Sequence, residues 1–143
     1  MTLHIEGYAS RFAQKDLNDD VVMKGAFARS LAKTGVAGVR MLYQHQVRSP
    51  IGVWDELTED AGGLFVRGRI ITVSPEARMV AALVRSGVID GLSIGFRTQK
   101  SRAEAGGKLR VLTQVDLWEI SIVTFPMLPP ARITRFGEQQ LAA

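Results

Sequence analysis

The sequence predicts an α+β, mainly β fold, a small closed or strongly curved β-barrel flanked by two or three helices. Three observations carry that expectation. Ile51–Leu57 and Leu64–Val73 are apolar, β-rich runs joined by Glu59-Asp60-Ala61-Gly62-Gly63, the strongest hairpin signal in the chain. One segment has full helix punctuation, with Ser74 as N-cap, Pro75 at the first helical position and Gly87 past its end. A long extended stretch from Leu109 to Phe125 is apolar on both faces and stops at Pro126, Pro129 and Pro130.

In chain order, Leu3–Ser10 reads as a strand and Arg11–Asp20 as a polar loop. Asp16, Asn18 and Asp20 are spaced like the opening of a calcium-binding EF-hand loop. Val21 and Phe27 stand where that loop needs Gly and Glu, so a solvated loop is expected and no metal. Gly25–Lys33 reads as a short helix with Phe27 and Leu31 on one face and Gly35 just past its end. Val39–His45 reads as a strand with Met41, Tyr43 and His45 on one face, broken at Ser49-Pro50. In the Ser74-capped helix Met79, Val80, Leu83 and Val84 form the expected buried stripe. Ala103–Lys108 is a second loop. The tail to Ala143 is expected to be frayed or a small helix. Residues 1–143 read as one domain.

The chain has 143 residues, no cysteine and a net charge of +4. Without cysteine there is no disulfide scaffold, thiol nucleophile or cysteine-based zinc site. The N-terminus lacks a basic-then-apolar leader, and no apolar run approaches the roughly 20 residues of a spanning helix. A soluble, cytoplasmic protein without membrane contact is expected. The basic residues are scattered rather than striped with aromatics, which argues against nucleic acid as the partner.

The chemistry centres on Gly91-Leu92-Ser93-Ile94-Gly95-Phe96. As a strand it turns Leu92, Ile94 and Phe96 to the core and leaves Ser93 between two glycines on the other face. Two readings stand at this point: a close-packing face with an incidental serine, or a nucleophile cleared for the approach of another backbone. Glu119 lies inside the apolar run Val115–Phe125, where an unpaired carboxylate would cost several kcal/mol to bury, so it calls for a partner. Histidine is the natural one. His45 is one of two in the chain, and a carboxylate accepting from Nδ1–H fixes the imidazole tautomer. Ser93, His45 and Glu119 thus form a candidate nucleophile, base and carboxylate. Backbone N–H groups near Ser93, or a nearby arginine, would stabilise the oxyanion.

Five stretches then carry a resemblance, in order along the chain: Met41-Leu42-Tyr43-Gln44-His45, Pro50-Ile51-Gly52-Val53-Trp54-Asp55, Gly63-Leu64-Phe65-Val66-Arg67-Gly68, Asp90-Gly91-Leu92-Ser93-Ile94-Gly95-Phe96 and Val115-Asp116-Leu117-Trp118-Glu119-Ile120-Ser121. Together they resemble the prohead (capsid maturation) serine proteases of tailed bacteriophages, relatives of the herpesvirus assemblins. The resemblance implies an assemblin-like fold and a serine endopeptidase with Ser93 as nucleophile, His45 as base and no cofactor. Assemblins carry a second histidine as third member. Glu119 takes that place here, with Asp116 ranked behind it and His4 out of order. Met127-Leu128 departs from the small-residue and Asn turn common in the family. The implied substrates are scaffolding protein, the scaffolding segment of the major capsid protein, and the protease itself, cut inside the immature capsid in the bacterial cytoplasm. Self-association is implied as well. Two other readings remain: a catalytically silent capsid-assembly or scaffold-binding protein, and a capsid-interior module that contacts DNA.

Overall fold

A computed structural model of the chain describes residues 2–142. Eight strands and two α-helices follow in order: β1 (Thr2–Arg11), β2 (Asp20–Val22), α1 (Ala28–Thr34), β3 (Arg40–Tyr43), β4 (Gln46–Glu59), β5 (Gly63–Ile71), α2 (Pro75–Arg85), β6 (Gly91–Ala103), β7 (Arg110–Val123) and β8 (Ile133–Gly137). A short 3-10 turn, Val36–Gly38, separates α1 from β3.

All eight strands belong to one sheet. β7 is its axis. Along one edge it pairs antiparallel with β6, and along the other it pairs in parallel with β2 and then with β3. From β3 the sheet continues through antiparallel β4, β5, β1 and β8. Between the β2 and β3 ladders the N–H groups of β7 still need partners. The Ala26 carbonyl takes that of Val115 and the Ser30 hydroxyl takes that of Leu117.

The expected closed barrel does not form. The lead-in to β8 reaches the start of β6 only through an isolated bridge, Gly91 with Arg132, and the flanking bonds Leu92 N–H to Ala131 and Ile133 N–H to Asp90. Beyond Leu92 that edge of β6 has no strand partner among the described residues. The sheet is open, with the serine strand on the open side.

The core lies on one face of the sheet, where Leu3, Ile5, Leu64, Ile70, Leu92, Leu112, Ile120 and Ile122 are fully buried. Each such side chain contributes about 1.5–3 kcal/mol relative to exposure. α2 packs on β4 and β5. Its stripe is rotated from the expected one: Ala77, Val80, Ala81 and Val84 are buried at i, i+3, i+4 and i+7, whereas Met79 is 46% exposed. The Ser74 cap is as expected, its hydroxyl accepting from Ala77 N–H at 3.1 Å.

Three further expectations are corrected. β4 is not broken at Ser49-Pro50. Leu42 faces Pro50 while Met41 faces Gly52, so Ile51 is the extra residue of a bulge, where a missing proline N–H is tolerated. The tail is neither frayed nor helical over 133–137, because β8 pairs with β1; Ala143 lies outside the described residues. The strand read as ending in His45 ends at Tyr43. Gln44 and His45 form a two-residue turn between Tyr43 and Gln46, both with positive φ (54° and 60°). Such turns favour Asn and Gly, and each non-glycine residue there costs on the order of 1 kcal/mol or more, so other bonds must hold this one.

Candidate active site

Those bonds come from β7. Gln44 N–H donates to the Ile122 carbonyl at 3.0 Å. The Gln44 side chain clamps Thr124 twice, donating to its hydroxyl at 2.6 Å and accepting from its N–H at 3.1 Å. His45 N–H donates to Ser121 Oγ at 3.0 Å. The turn is thereby folded over the outer face of β7, and the imidazole with it.

The face beneath is set by register. Ser93 lies opposite Ser121 and Gly95 opposite Glu119 on β6 and β7, while Leu42 and Arg40 of β3 take the same rows on the far side. Paired residues share a face, so Ser93, Ser121, Gly95 and Glu119 stand together outside the core. Leu92 is fully buried, and Ile94 and Phe96 pack on the core from the opposite face.

Glu119 shares this face with Ser121 two positions on, but unbroken alternation would have brought Leu117 out beside them. Gly95 faces Glu119 but Phe96 faces Leu117, which leaves Trp118 as a bulged extra residue in β7. Leu117 and Ile120 therefore both enter the core, Trp118 is 55% exposed, and Glu119 emerges on the outer face. The expectation that both faces of β7 are apolar around Glu119 fails at this bulge. The Ser30 hydroxyl that takes the Leu117 N–H supports it.

The structure brings His45 and Glu119 into direct contact. His45 Nδ1 lies 2.5 Å from Glu119 Oε2, and the other carboxylate oxygen accepts from Ser121 Oγ at 2.7 Å. With Nδ1–H donated to the carboxylate, the neutral imidazole presents an unprotonated Nε2. The hydrogen bond to Glu119 raises the His45 pKa above its ordinary value; partial burial opposes this, and the carboxylate charge adds to it. The Glu119 side chain is 13% exposed, that of His45 42%.

Ser93 shares a cleft with His45 that Met127, Leu128, Arg11 and Asp16 also line. Ser93 is 6% exposed, and its hydroxyl makes no hydrogen bond among the described residues. A second cleft, lined by Arg40, Val47, Trp118 and Glu119, opens on the other side of His45. Arg11, the arginine that reaches the Ser93 cleft, stacks over the Tyr8 ring at 3.9 Å.

The remaining candidates lie elsewhere. Asp116 accepts from Gln99 Nε2 at 2.5 Å and His4 sits in β1 opposite Arg69, and neither lines the two clefts. In the polar loop, Asp16 Oδ1 accepts the N–H groups of Asn18 and Asp20, and the Asp20 carboxylate is held by Arg110 at 2.9 and 3.0 Å. Ser121 was not singled out from the sequence. Its signal was Glu119 and Ser121 two positions apart, two polar groups in an otherwise apolar strand.

Gly95 is the clearance for Glu119. A Cβ built on it would collide with the Glu119 carboxylate and with the carbons that carry it. The φ of Gly95 lies outside the left-handed region, so alanine is allowed by the backbone and only the carboxylate must move. Gly95→Ala is expected to keep the fold, its thermal midpoint within a few degrees of wild type, while any activity that uses the pair falls about a hundredfold. Melting curves read beside kcat check this. Parallel loss of both would assign Gly95 to packing alone.

The family model described as caudovirus prohead serine protease matches residues 1–142. The chain is 36% identical over 123 residues to the prohead protease of Enterobacteria phage HK97, covering 85% of this chain and 54% of that protein. It is 29% identical over 123 residues to the prohead protease of Escherichia phage T5, covering 85% and 57%. It thus spans a little over half the length of these curated relatives. Its fold is similar to that of KSHV protease solved with a hexapeptide phosphonate inhibitor (TM-score 0.64, 12% identity, 97% of this chain and 66% of that one). It is similar also to the capsid assembly protease of bacteriophage T4 (TM-score 0.66, 13% identity, 84% and 80%).

Proposed function

The chain belongs to the caudovirus prohead serine protease family, and from that premise we propose that it is a serine endopeptidase in which Ser93, His45 and Glu119 act together. Ser93 Oγ attacks the scissile carbonyl while His45 Nε2 takes its proton. The imidazolium then gives that proton to the departing amine, which leaves an acyl-enzyme at Ser93. Water, deprotonated by His45, releases the acid and restores the serine. Glu119 fixes the tautomer and stabilises the charge on His45. The open edge of β6 beside Ser93 suits an extended peptide added as a further strand.

The observation that carries this reading is the His45–Glu119 hydrogen bond, made by a histidine that also lines the cleft of Ser93, whose hydroxyl has no hydrogen-bond partner among the described residues. The proposed substrates are scaffolding protein, the scaffolding segment of the major capsid protein and the chain itself. Support comes from relatives named as prohead proteases and from a fold shared with a capsid assembly protease. The proposed place of action is the interior of the immature capsid in the host cytoplasm. Among the described residues no helix is long and apolar enough to cross a membrane. Self-association enters through the family resemblance alone, and no surface is assigned to it.

A fluorophosphonate tests the assignment. Attack by Ser93 Oγ on phosphorus expels fluoride and leaves a stable phosphonyl ester. Peptide mapping by mass spectrometry is expected to find that mass on the Ser93 peptide, with capsid-precursor cleavage lost in parallel. A label on another serine, with cleavage lost, would move the nucleophile. An unlabelled, inactive protein that still binds the capsid precursor would favour the silent assembly protein.

A further inference from the structure

We propose that Ser121 is a positioning residue that locks the carboxylate and the backbone of the histidine turn into one unit. The inference rests on the reading of Ser93, His45 and Glu119 given above.

Ser121 is completely buried, and every bond its hydroxyl makes leads to the same pair. It has one proton and two lone pairs to use. The proton goes to Glu119 Oε1 and a lone pair takes the His45 N–H. Glu119 Oε2 receives the imidazole. The bonds form a closed circuit: His45 backbone, Ser121 hydroxyl, both oxygens of Glu119, and back to the ring of His45. A carboxylate held by one hydrogen bond can rotate about its last bonds. Held through both oxygens, it has one orientation, and that orientation presents Oε2 to Nδ1. The circuit also ties the imidazole to its own main chain across a turn whose positive φ values its residues do not favour.

Ser121 faces Ser93 across the β6–β7 ladder, so it could instead serve the nucleophile directly. Its single proton is already committed to Glu119, which argues against that. A plain structural role, the satisfaction of a buried hydroxyl, would leave the titration of His45 untouched. Positioning would not. The other charged groups that line the two clefts with the imidazole are Arg40 of β3, Arg11 of β1, Asp16 in the loop before β2 and Asp20 at its start. Ser121 bonds to none of them, so its removal acts on His45 only through Glu119 and the turn.

The test is an NMR titration of the imidazoles in the whole chain, which has only two histidines. In Ser121→Ala the His45 midpoint is expected to fall towards the ordinary histidine value. Cleavage is expected to drop about tenfold to a hundredfold in kcat with little change in KM, as for a displacement of about 1 Å at the reacting groups. Ser121→Thr restores the hydroxyl and is expected to recover the titration. Ser121→Cys, similar in size but a poor donor, is expected to behave like alanine and serves in its place if Ser121→Ala does not fold. A His45 midpoint that stays at the wild-type value in folded Ala or Cys variants overturns the proposal. Because the titration requires no turnover, it stays decisive even if the chain proves not to be a protease.

Discussion

Ser93→Ala is expected to abolish cleavage of capsid or scaffold precursor, lowering kcat by about 10⁴–10⁶-fold. The loss should be purely chemical. The Ser93 hydroxyl has no hydrogen-bond partner to strand among the described residues, and the Cβ that packs beside Ser121 is retained. Leu92, Ile94 and Phe96 face the other way and are undisturbed. The variant should therefore melt within a degree or two of wild type and bind precursor with unchanged affinity. Gel analysis of precursor cleavage, read beside thermal melting, checks both halves. Cleavage within tenfold of wild type would remove Ser93 from the reaction. A matching fall in stability would mean that the small-residue face of β6 is there for packing, the plainer of the two readings its sequence allows.

What could be read from the chain beforehand divides by the range of the interaction. The β4–β5 hairpin and the cap of α2 are encoded within a few residues each, by Asp60-Ala61-Gly62-Gly63 and by Ser74-Pro75, and both formed as read. The outward face of Ser93 follows from alternation alone. Three features had no local sign. β8 exists because β1 needs a partner more than a hundred residues away. The Gln44-His45 turn has positive φ without glycine or asparagine, so its residues do not announce it; bonds from Ile122, Thr124 and Ser121 hold it. The Trp118 bulge adds one residue to β7, and a single insertion inverts every face assignment beyond it. Burial of Glu119 between two apolar faces was thus the wrong reason for seeking it a partner. It has one on a half-open outer face, where its bond to His45 can be reached from the cleft.

That position makes Glu119→Gln informative about pH. Glutamine is nearly isosteric and can accept from Nδ1–H through its amide oxygen, but it carries no charge to stabilise an imidazolium. The corresponding change in a serine protease triad costs about 10⁴-fold in kcat, and a fall of about 10²–10⁴ is expected here. The profile should move as well. A general base works only when unprotonated, so cleavage is lost as the pH drops through the His45 pKa, and Glu119 holds that pKa above its ordinary value. Without the carboxylate the acid limb of kcat/KM is expected at lower pH, beneath a much reduced plateau. Stability moves in the matching direction. The folded pKa of His45 is raised, so the protonated pair stabilises the native state fully below an unfolded value of about 6.5. That contribution disappears as the pH rises through the folded pKa. Wild type should therefore exceed Glu119→Gln in melting temperature more at pH 6 than at pH 9. A variant with wild-type turnover would remove Glu119 from the site. One with lowered turnover but an unmoved acid limb would show that the carboxylate orients His45 without setting its charge.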